Sequence, residues 1–135
     1  MPEPAPNNKK ILFVDDDSFL LDMYAVKFKN QGYDVRMSDN AEAALKLLHE
    51  GYVPDAMLVD IIMPSMDGID FVSAVRRENL ASKAVVIMLT NQGLPDDIAR
   101  ARKLNVDGYI IKATSIPSEV VETVAALAAK HQPKA

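Results

Sequence analysis

The chain has 135 residues, of which 49% are hydrophobic and 25% are charged, and its formal net charge is -4. This length and composition predict one globular domain with a buried core. The acidic balance, together with the absence of a long basic run, argues against nucleic acid as the main partner of this domain.

Residue usage also limits the kinds of metal site and the cellular compartment that we expect. The sequence has no cysteine, which excludes disulfides and thiolate metal sites. Its two histidines are too few for a typical zinc site. The first ten residues lack the apolar core of a signal peptide, and no apolar run approaches the length of a membrane span. We therefore expect a cytoplasmic protein that does not interact with a membrane.

The chain begins and ends in polar segments. Residues 1–8 contain three prolines and little to bury, which is typical of a disordered tail. Residues 131–135 are a second, short polar tail. The predicted domain therefore spans residues 9–130.

Within this domain, strand-like runs alternate with segments of helical periodicity. The strand-like runs lie at 10–14, 33–37, 55–59, 85–89 and 108–111. Three of them are almost continuously apolar, as expected for strands that are buried on both faces. The segments between them repeat apolar residues at helical spacing, and the repeat is weakest over 95–104. Five successive β-α units predict an α/β fold with a parallel sheet, right-handed crossovers and helices on both faces.

Polar side chains follow four of the predicted strands, at the point where each strand ends. Asp15 and Asp16 follow the first strand, and Asp60 follows the third. Thr90 and Lys112 close the fourth and fifth strands. Because the carboxyl ends of parallel strands lie along one edge of a sheet, we expect these five residues to converge there.

This set of groups can bind a hard cation and handle a phosphoryl group. Adjacent carboxylates repel each other unless a cation neutralises them or water solvates them, and Mg²⁺ prefers carboxylate oxygens. Asp60 is the candidate nucleophile, because a carboxylate can attack phosphorus and form an aspartyl-phosphate. Lys112 would supply a counter-charge and Thr90 a hydroxyl donor.

Each of these residues also has a purely structural interpretation. Asp15, Asp16 and Asp17 could cap the helix that follows them. Thr90 could be an ordinary β-branched strand residue, and Lys112 a surface lysine at a strand end. For Asp67 and Gly68 we favour the structural interpretation, in which Asp67 caps the next helix and Gly68 eases the turn before it.

Four motifs in this order resemble the receiver domain of two-component response regulators over about residues 9–130. They are Val14-Asp15-Asp16, Asp60 followed by Met63-Pro64-x-Met66-Asp67-Gly68, Thr90, and Gly108-Tyr109-x-x-Lys112. The resemblance implies a flavodoxin-like, doubly wound, five-stranded parallel sheet in the order 2-1-3-4-5, with five helices on its two faces.

The resemblance also implies a role for each site residue. Asp60 would be the phosphoacceptor, supported by Lys112 and Thr90. Asp16, Asp60 and the main-chain carbonyl of Ile62 would bind Mg²⁺ directly, and Asp15 would act through a bound water. Thr90 would move toward the phosphoryl group, and Tyr109 would switch its rotamer at the same time.

The resemblance implies the partners as well. A sensor histidine kinase or a histidine phosphotransfer protein would donate the phosphoryl group. Residues 95–130 would present the surface read by a downstream protein, and a homodimer on activation is a possibility that the resemblance allows. The domain would be a signalling module rather than an enzyme, with at most weak self-phosphorylation from small donors and weak self-dephosphorylation.

Three residues depart from the family pattern. Ala113 stands where proline usually follows the lysine, so the loop at 112–116 is expected to run differently. Asn91, after Thr90, is larger than the small residue common there, and it would narrow the approach to the phosphoryl group. Ile62 offers no polar side chain to orient attacking water, which predicts slow self-dephosphorylation.

Two other functions stay open at the level of sequence. Asn91 and Ala113 are compatible with a receiver-like interaction module that works without phosphorylation. Asp15-x-Asp17 also resembles the first motif of haloacid-dehalogenase-type phosphatases, in which Asp15 would be the nucleophile and Asp17 the general acid. That resemblance is the poorer one, because no acidic metal motif follows Lys112.

Overall fold

Five short strands and five helices alternate in the computed structural model, which describes residues 9–91, 95–112 and 115–131. The strands are β1 (Lys10–Val14), β2 (Asp34–Ser38), β3 (Ala56–Asp60), β4 (Val85–Thr90) and β5 (Gly108–Ile111). The helices are α1 (Ser18–Asn30), α2 (Ala41–His49), α3 (Gly68–Arg77), α4 (Pro95–Arg102) and α5 (Pro117–Lys130). No strand end differs from the sequence prediction by more than one residue.

The strands form one parallel sheet in the order β2-β1-β3-β4-β5. The predicted order 2-1-3-4-5 is therefore confirmed. In this topology β1 and β3 are neighbours, so the segments that follow them, which carry the acidic residues, leave the sheet side by side. β4 lies between β3 and β5, so the ends of β3 and β5 flank the end of β4.

The core has two layers, one on each face of the sheet. Alternate residues of β1 face opposite layers: Ile11 and Phe13 pack with α1 and α5, whereas Leu12 and Val14 pack with α2, α3 and α4. β3 and β4 divide their side chains in the same way. Burial on both faces explains why these central strands are almost continuously apolar.

Polar side chains fix the start of three helices. Asp17, Asn40 and Asp67 each accept a hydrogen bond from a backbone N–H three residues later, at 3.1, 2.7 and 2.8 Å. Each cap satisfies a donor that the first helical turn leaves without an intrahelical partner. The predicted cap at Asp67 is confirmed, and Asp17 also caps its helix, while Asp15 and Asp16 remain outside α1.

His131, which the sequence groups with the C-terminal tail, is packed against the domain. Its Nδ1 lies 2.7 Å from Asp107 Oδ1 and its Nε2 lies 3.1 Å from the carbonyl oxygen of Lys83. The His131 side chain is only 6% exposed. These contacts fasten the end of α5 to the segments that lead into β4 and β5. Residues 1–8 and 132–135, where the sequence predicts the tails, lie outside the described residues.

Across the described residues, no helix combines the length and the apolar character that a membrane span requires.

The His131 contacts predict a measurable share of the stability. His131→Ala should lower the free energy of unfolding by about 1–3 kcal/mol, because it leaves the partly buried Asp107 carboxylate without its ring partner. Urea unfolding followed by circular dichroism measures this change.

A matched control is the second histidine of the chain. His49 Nε2 lies 2.8 Å from Glu78 Oε1, but both side chains are more than 40% exposed. His49→Ala should therefore cost less than about 1 kcal/mol. Equal losses in the two variants would contradict an anchoring role for His131.

Candidate functional site

Three carboxylates meet at the carboxyl edge of the sheet. One oxygen from each of Asp15, Asp16 and Asp60 lies within 4.8 Å of the other two. The Asp15 side chain has no exposed surface and Asp60 is 4% exposed as a residue, whereas Asp16 is exposed. The predicted convergence of the first and third strand ends is thus present, and the cluster opens to solvent on the side of Asp16.

Lys112 brings the one ammonium group that contacts this cluster among the described residues. Its Nζ lies 2.7 Å from Asp15 Oδ2 and 3.3 Å from Asp60 Oδ2, and its side chain is only 9% exposed. The alternative of a solvated surface lysine is therefore wrong. Lys112 leaves β5 and crosses the end of β4 to reach carboxylates that follow β1 and β3.

The electrostatic balance at the site is negative. Burial, and next the charge of Asp15, raise the pKa of Asp60 to about 7, although Lys112 opposes this shift. Burial disfavours the charged form of Lys112, but Asp15 and Asp60 together outweigh it and raise the pKa of the ammonium. Asp15 and Asp16 together already exceed the charge of the one ammonium, and ionisation of Asp60 adds a further negative charge.

The donor set fits a hard divalent cation. Asp15 Oδ1 accepts a hydrogen bond from the backbone N–H of Asp17 at 3.0 Å. Asp15 Oδ2 is buried and forms an ion pair with Lys112 Nζ at 2.7 Å. Three carboxylates gathered at one point, with more negative charge than one ammonium can neutralise, are the kind of oxygen ligands that bind Mg²⁺.

Thr90 and Tyr109 lie on the two strands next to the acidic cluster. Asp60 pairs in register with Leu89, so Thr90 is the next residue along β4, and it is almost fully buried. Tyr109 of β5 pairs in register with Met88, and its hydroxyl donates to the carbonyl oxygen of Ile98 in α4 at 3.3 Å. The strands thus bring Thr90 to the edge where Asp60 lies, while Tyr109 is hydrogen-bonded to α4.

Two residues singled out from the sequence lie close in the chain to Asp60 and Thr90, and both are exposed. Ile62 lies two residues beyond Asp60, and its side chain is 64% exposed. Asn91 follows Thr90 and is also exposed. Ala113, the departure next to Lys112, lies outside the described residues.

Gly68 holds the segment after Asp60 against the strand, a role that the sequence prediction missed. A Cβ atom at this position would lie 2.0 Å from the backbone carbonyl oxygen of Asp60. The Gly68 N–H donates to the carbonyl of Ile61 at 2.8 Å. Gly68 does not have a positive φ, so its requirement is close approach rather than an unusual turn conformation. Neither spacing nor periodicity reports such a contact.

Comparison with known proteins finds one family. The model of the response regulator receiver domain matches residues 11–125. The chain is 29% identical over 127 residues to the phosphate regulon transcriptional regulatory protein PhoB of Escherichia coli (strain K12), covering 94% of this chain and 55% of that protein. It is 33% identical over 120 residues to the alkaline phosphatase synthesis transcriptional regulatory protein PhoP of Bacillus subtilis (strain 168), covering 89% of this chain and 48% of that protein. The chain therefore spans about half the length of these curated relatives.

Solved structures agree with the sequence matches. The response regulator receiver domain protein (CheY-like) from Methanospirillum hungatei JF-1 superposes with a TM-score of 0.81 at 25% identity. The superposition covers 92% of this chain and 96% of that one.

Because the pKa of Asp60 is raised in the folded protein, we expect the free energy of unfolding to depend on pH. Folding raises this pKa from 3.8 to about 7, so the folded protein holds the proton more tightly than the unfolded chain does. Ionisation of Asp60 therefore lowers stability as the pH rises through this interval. Asp60→Asn should raise the free energy of unfolding by about 1–3 kcal/mol near pH 8 without divalent cations, and by much less near pH 5.

Urea unfolding in the presence of a chelator measures this difference. Asp22→Asn removes the same charge from an exposed position on α1 and should change stability by less than about 0.5 kcal/mol at both pH values. Destabilisation by Asp60→Asn near pH 8 would contradict the electrostatic description of the site.

The close approach of Gly68 predicts that even one methyl group disturbs the site. Gly68→Ala should lower the free energy of unfolding by about 1–3 kcal/mol and should weaken Mg²⁺ binding, because the backbone of Asp60 must shift. Gly51→Ala is the control: its added Cβ meets no atom within 4 Å, although its φ of +103° is unfavourable for alanine. That variant should lose stability but keep its Mg²⁺ affinity, measured by titration calorimetry. Unchanged Mg²⁺ affinity in Gly68→Ala would refute the positioning role.

Proposed function

Because this chain belongs to the response regulator receiver domains, we propose that Asp60 accepts a phosphoryl group from a phosphohistidine and thereby switches a partner-binding surface. The observation that carries this proposal is the convergence of Asp15, Asp16 and Asp60 within 4.8 Å, with Lys112 Nζ 3.3 Å from Asp60 Oδ2. This arrangement combines a nucleophilic carboxylate, a fixed cation and oxygen ligands for a metal ion. The proposed domain covers residues 9–130, and His131 extends the folded unit beyond it.

In the proposed reaction a carboxylate oxygen of Asp60 attacks phosphorus. A new oxygen–phosphorus bond forms, the phosphorus–nitrogen bond of the donor phosphohistidine breaks, and the imidazole of the donor takes the electron pair. The ionised form of Asp60 is the reactive one, and its pKa of about 7 leaves a large share of it ionised near neutral pH. Lys112 lies close enough to Asp60 to neutralise charge on the incoming phosphoryl oxygens.

Mg²⁺ is the proposed cofactor. Asp16, Asp60 and the main-chain carbonyl of Ile62 would hold it directly, and Asp15 would act through a bound water. When bound, the ion would offset the negative charge of the transferring group. The convergence of three carboxylates against one ammonium supports this assignment.

Phosphorylation would change the balance of forces along β4 and β5. It adds about -1.5 to -2 charges next to Lys112 and Thr90. Thr90 would move toward the phosphoryl oxygens, and Tyr109 would exchange its hydrogen bond with Ile98 for the space that Thr90 leaves. Because that hydrogen bond joins β5 to α4, its loss would release α4 and alter the surface of residues 95–130.

The proposed partners are a sensor histidine kinase or a histidine phosphotransfer protein as donor, and a downstream protein that reads residues 95–130. A homodimer on activation and a cytoplasmic location belong to the same proposal. We propose no enzymatic role beyond weak self-phosphorylation from small donors and weak self-dephosphorylation. Two of the relatives are named as transcriptional regulatory proteins, so control of transcription is the proposed output of a longer protein with this domain.

The two other functions have less support. A phosphatase that uses Asp15 as nucleophile is less well supported, because the Asp15 side chain has no exposed surface and is paired with Lys112 Nζ at 2.7 Å, closer than the 3.3 Å from Lys112 Nζ to Asp60. A module that works without phosphorylation would have no use for a buried ammonium shared by two buried carboxylates, an arrangement that is costly to desolvate.

Intact-mass spectrometry with acetyl phosphate and Mg²⁺ tests the proposal. The parent protein should gain the mass of one phosphoryl group, and Asp60→Asn should gain none. Asp22→Asn, at an exposed site on α1, should be labelled like the parent. Labelling of Asp60→Asn at the parental level, or no labelling of the parent at all, would refute the assignment of Asp60.

A further inference from the structure

Tyr24 carries a buried hydroxyl that has no hydrogen-bond partner among the described residues, and Tyr52 carries a second one. Asp15 Oδ2 is also buried, and it is held by its ion pair with Lys112 Nζ at 2.7 Å. The ionised carboxylate of Asp15 can only accept a hydrogen bond, whereas a tyrosine hydroxyl can donate one. Buried polar groups are nearly always paired, so each exception needs a physical reason.

Tyr24 packs against the strand that leads into Asp15. It lies on α1, is 1% exposed, and its ring centroid is 5.8 Å from that of Phe13 in β1. Successive strand residues alternate between the faces, so Asp15, two residues after Phe13, lies on the same face. The backbone N–H of Asp15 continues the pairing of β1 with β2 by donating to Ser38 at 3.1 Å, which keeps this alternation intact.

The phenol of Tyr24 is influenced by charged groups of the acidic site. Burial raises the pKa of Tyr24, and the next influences in order of size are Lys112, Asp15 and Asp17. The Tyr52 hydroxyl, in contrast, is influenced by Asp34, Arg36 and Asp55 after burial. The two phenols are therefore equally unpartnered, but only Tyr24 responds to the groups of the acidic cluster.

Phosphorylation would remove the partner that Asp15 now has. Lys112 Nζ is 2.7 Å from Asp15 Oδ2 and 3.3 Å from Asp60 Oδ2, so the ammonium already bridges the two carboxylates. A phosphoryl group on Asp60 carries more negative charge than a carboxylate and attracts the ammonium toward itself. Asp15 Oδ2 would then lose its ion pair with Lys112, and beyond the water on the proposed Mg²⁺ this buried oxygen would need a further donor.

We propose that Tyr24 is a positioning residue whose hydroxyl donates a hydrogen bond to Asp15 Oδ2 when Lys112 Nζ binds the phosphoryl group on Asp60. This inference rests on the proposed function, because it assigns Lys112 to the phosphorylated state. The hydroxyl gains its partner only in that state, so it contributes nothing to the unphosphorylated protein. Tyr24 thus stabilises the phosphorylated form selectively, through Asp15, without touching the phosphoryl group.

Tyr24→Phe tests the proposal, because it removes the hydroxyl and keeps the ring that packs on Phe13. The probe is beryllofluoride with Mg²⁺, a tetrahedral stand-in for a phosphoryl group on a carboxylate. Titration calorimetry should show beryllofluoride binding weakened about tenfold or more in Tyr24→Phe, since one hydrogen bond to a charged group is lost. The melting temperature without ligand should be equal to that of the parent or higher, because an unpaired buried hydroxyl is removed.

Tyr52→Phe is the matched control. It removes the other buried, unpartnered hydroxyl, far from the charges of the acidic cluster, and should leave beryllofluoride binding unchanged. Unchanged or tighter binding by Tyr24→Phe would overturn the inference. A weakening of the same size in both variants would overturn it as well, because the effect would then be structural.

A second measurement uses the unmodified protein. The chain has four tyrosines, so labelling their Cζ atoms with ¹³C gives four resolvable NMR signals. Addition of beryllofluoride and Mg²⁺ should shift the Tyr24 signal as its hydroxyl acquires a carboxylate partner, while the Tyr52 signal stays in place. An unshifted Tyr24 signal would refute the inference. Failure of the parent to bind beryllofluoride, or binding by Asp60→Asn, would instead refute the proposed function.

Discussion

A single buried ammonium shared by two buried carboxylates is the interaction on which the site depends. Lys112 Nζ contacts both Asp15 and Asp60, and all three side chains are at least nine-tenths buried. Such groups lose most of their hydration on folding, and their mutual attraction has to offset that loss. The balance is incomplete, because Asp16 adds a third carboxylate and the pKa of Asp60 rises to about 7. The folded protein therefore holds excess negative charge at one point, ready to be neutralised by a cation.

The packing of the sheet holds these charged groups together. β1, β3 and β4 are buried on both faces, so the apolar contacts of two core layers fix the positions of the strand ends. Residues immediately beyond those ends cannot move away from one another without disrupting the core. Gly68 adds a second constraint, because the segment after Asp60 returns so closely that no side chain fits between it and the Asp60 carbonyl.

The sequence predicted the parts of the site that strand ends determine. Apolar runs located the strands, and the rule that parallel strands end along one edge brought Asp15, Asp60, Thr90 and Lys112 together. The sequence did not predict the contacts of Gly68, Tyr24 and His131, because each of these contacts joins segments that are distant in the chain. Tyr24 has the spacing of an ordinary core residue on α1, and only the fold shows that its buried hydroxyl has no hydrogen-bond partner among the described residues. His131 follows the last helix, as a tail residue would, and only the fold shows that Asp107 lies beside it.

The attachment of α4 explains how a change of charge at one strand end can alter a distant surface. Of its eight residues only Ala101 is buried, so apolar packing holds this helix weakly. Polar contacts supply much of the rest: Tyr109 donates to Ile98 within the helix, and Arg76 of α3 donates to the carbonyls of Leu104 and Asn105 beyond its end. Polar contacts of this kind contribute only about 1 kcal/mol each. In the proposed switch, loss of the hydrogen bond from Tyr109 would therefore remove one of the polar contacts that hold α4, whereas α3 is held by six buried residues.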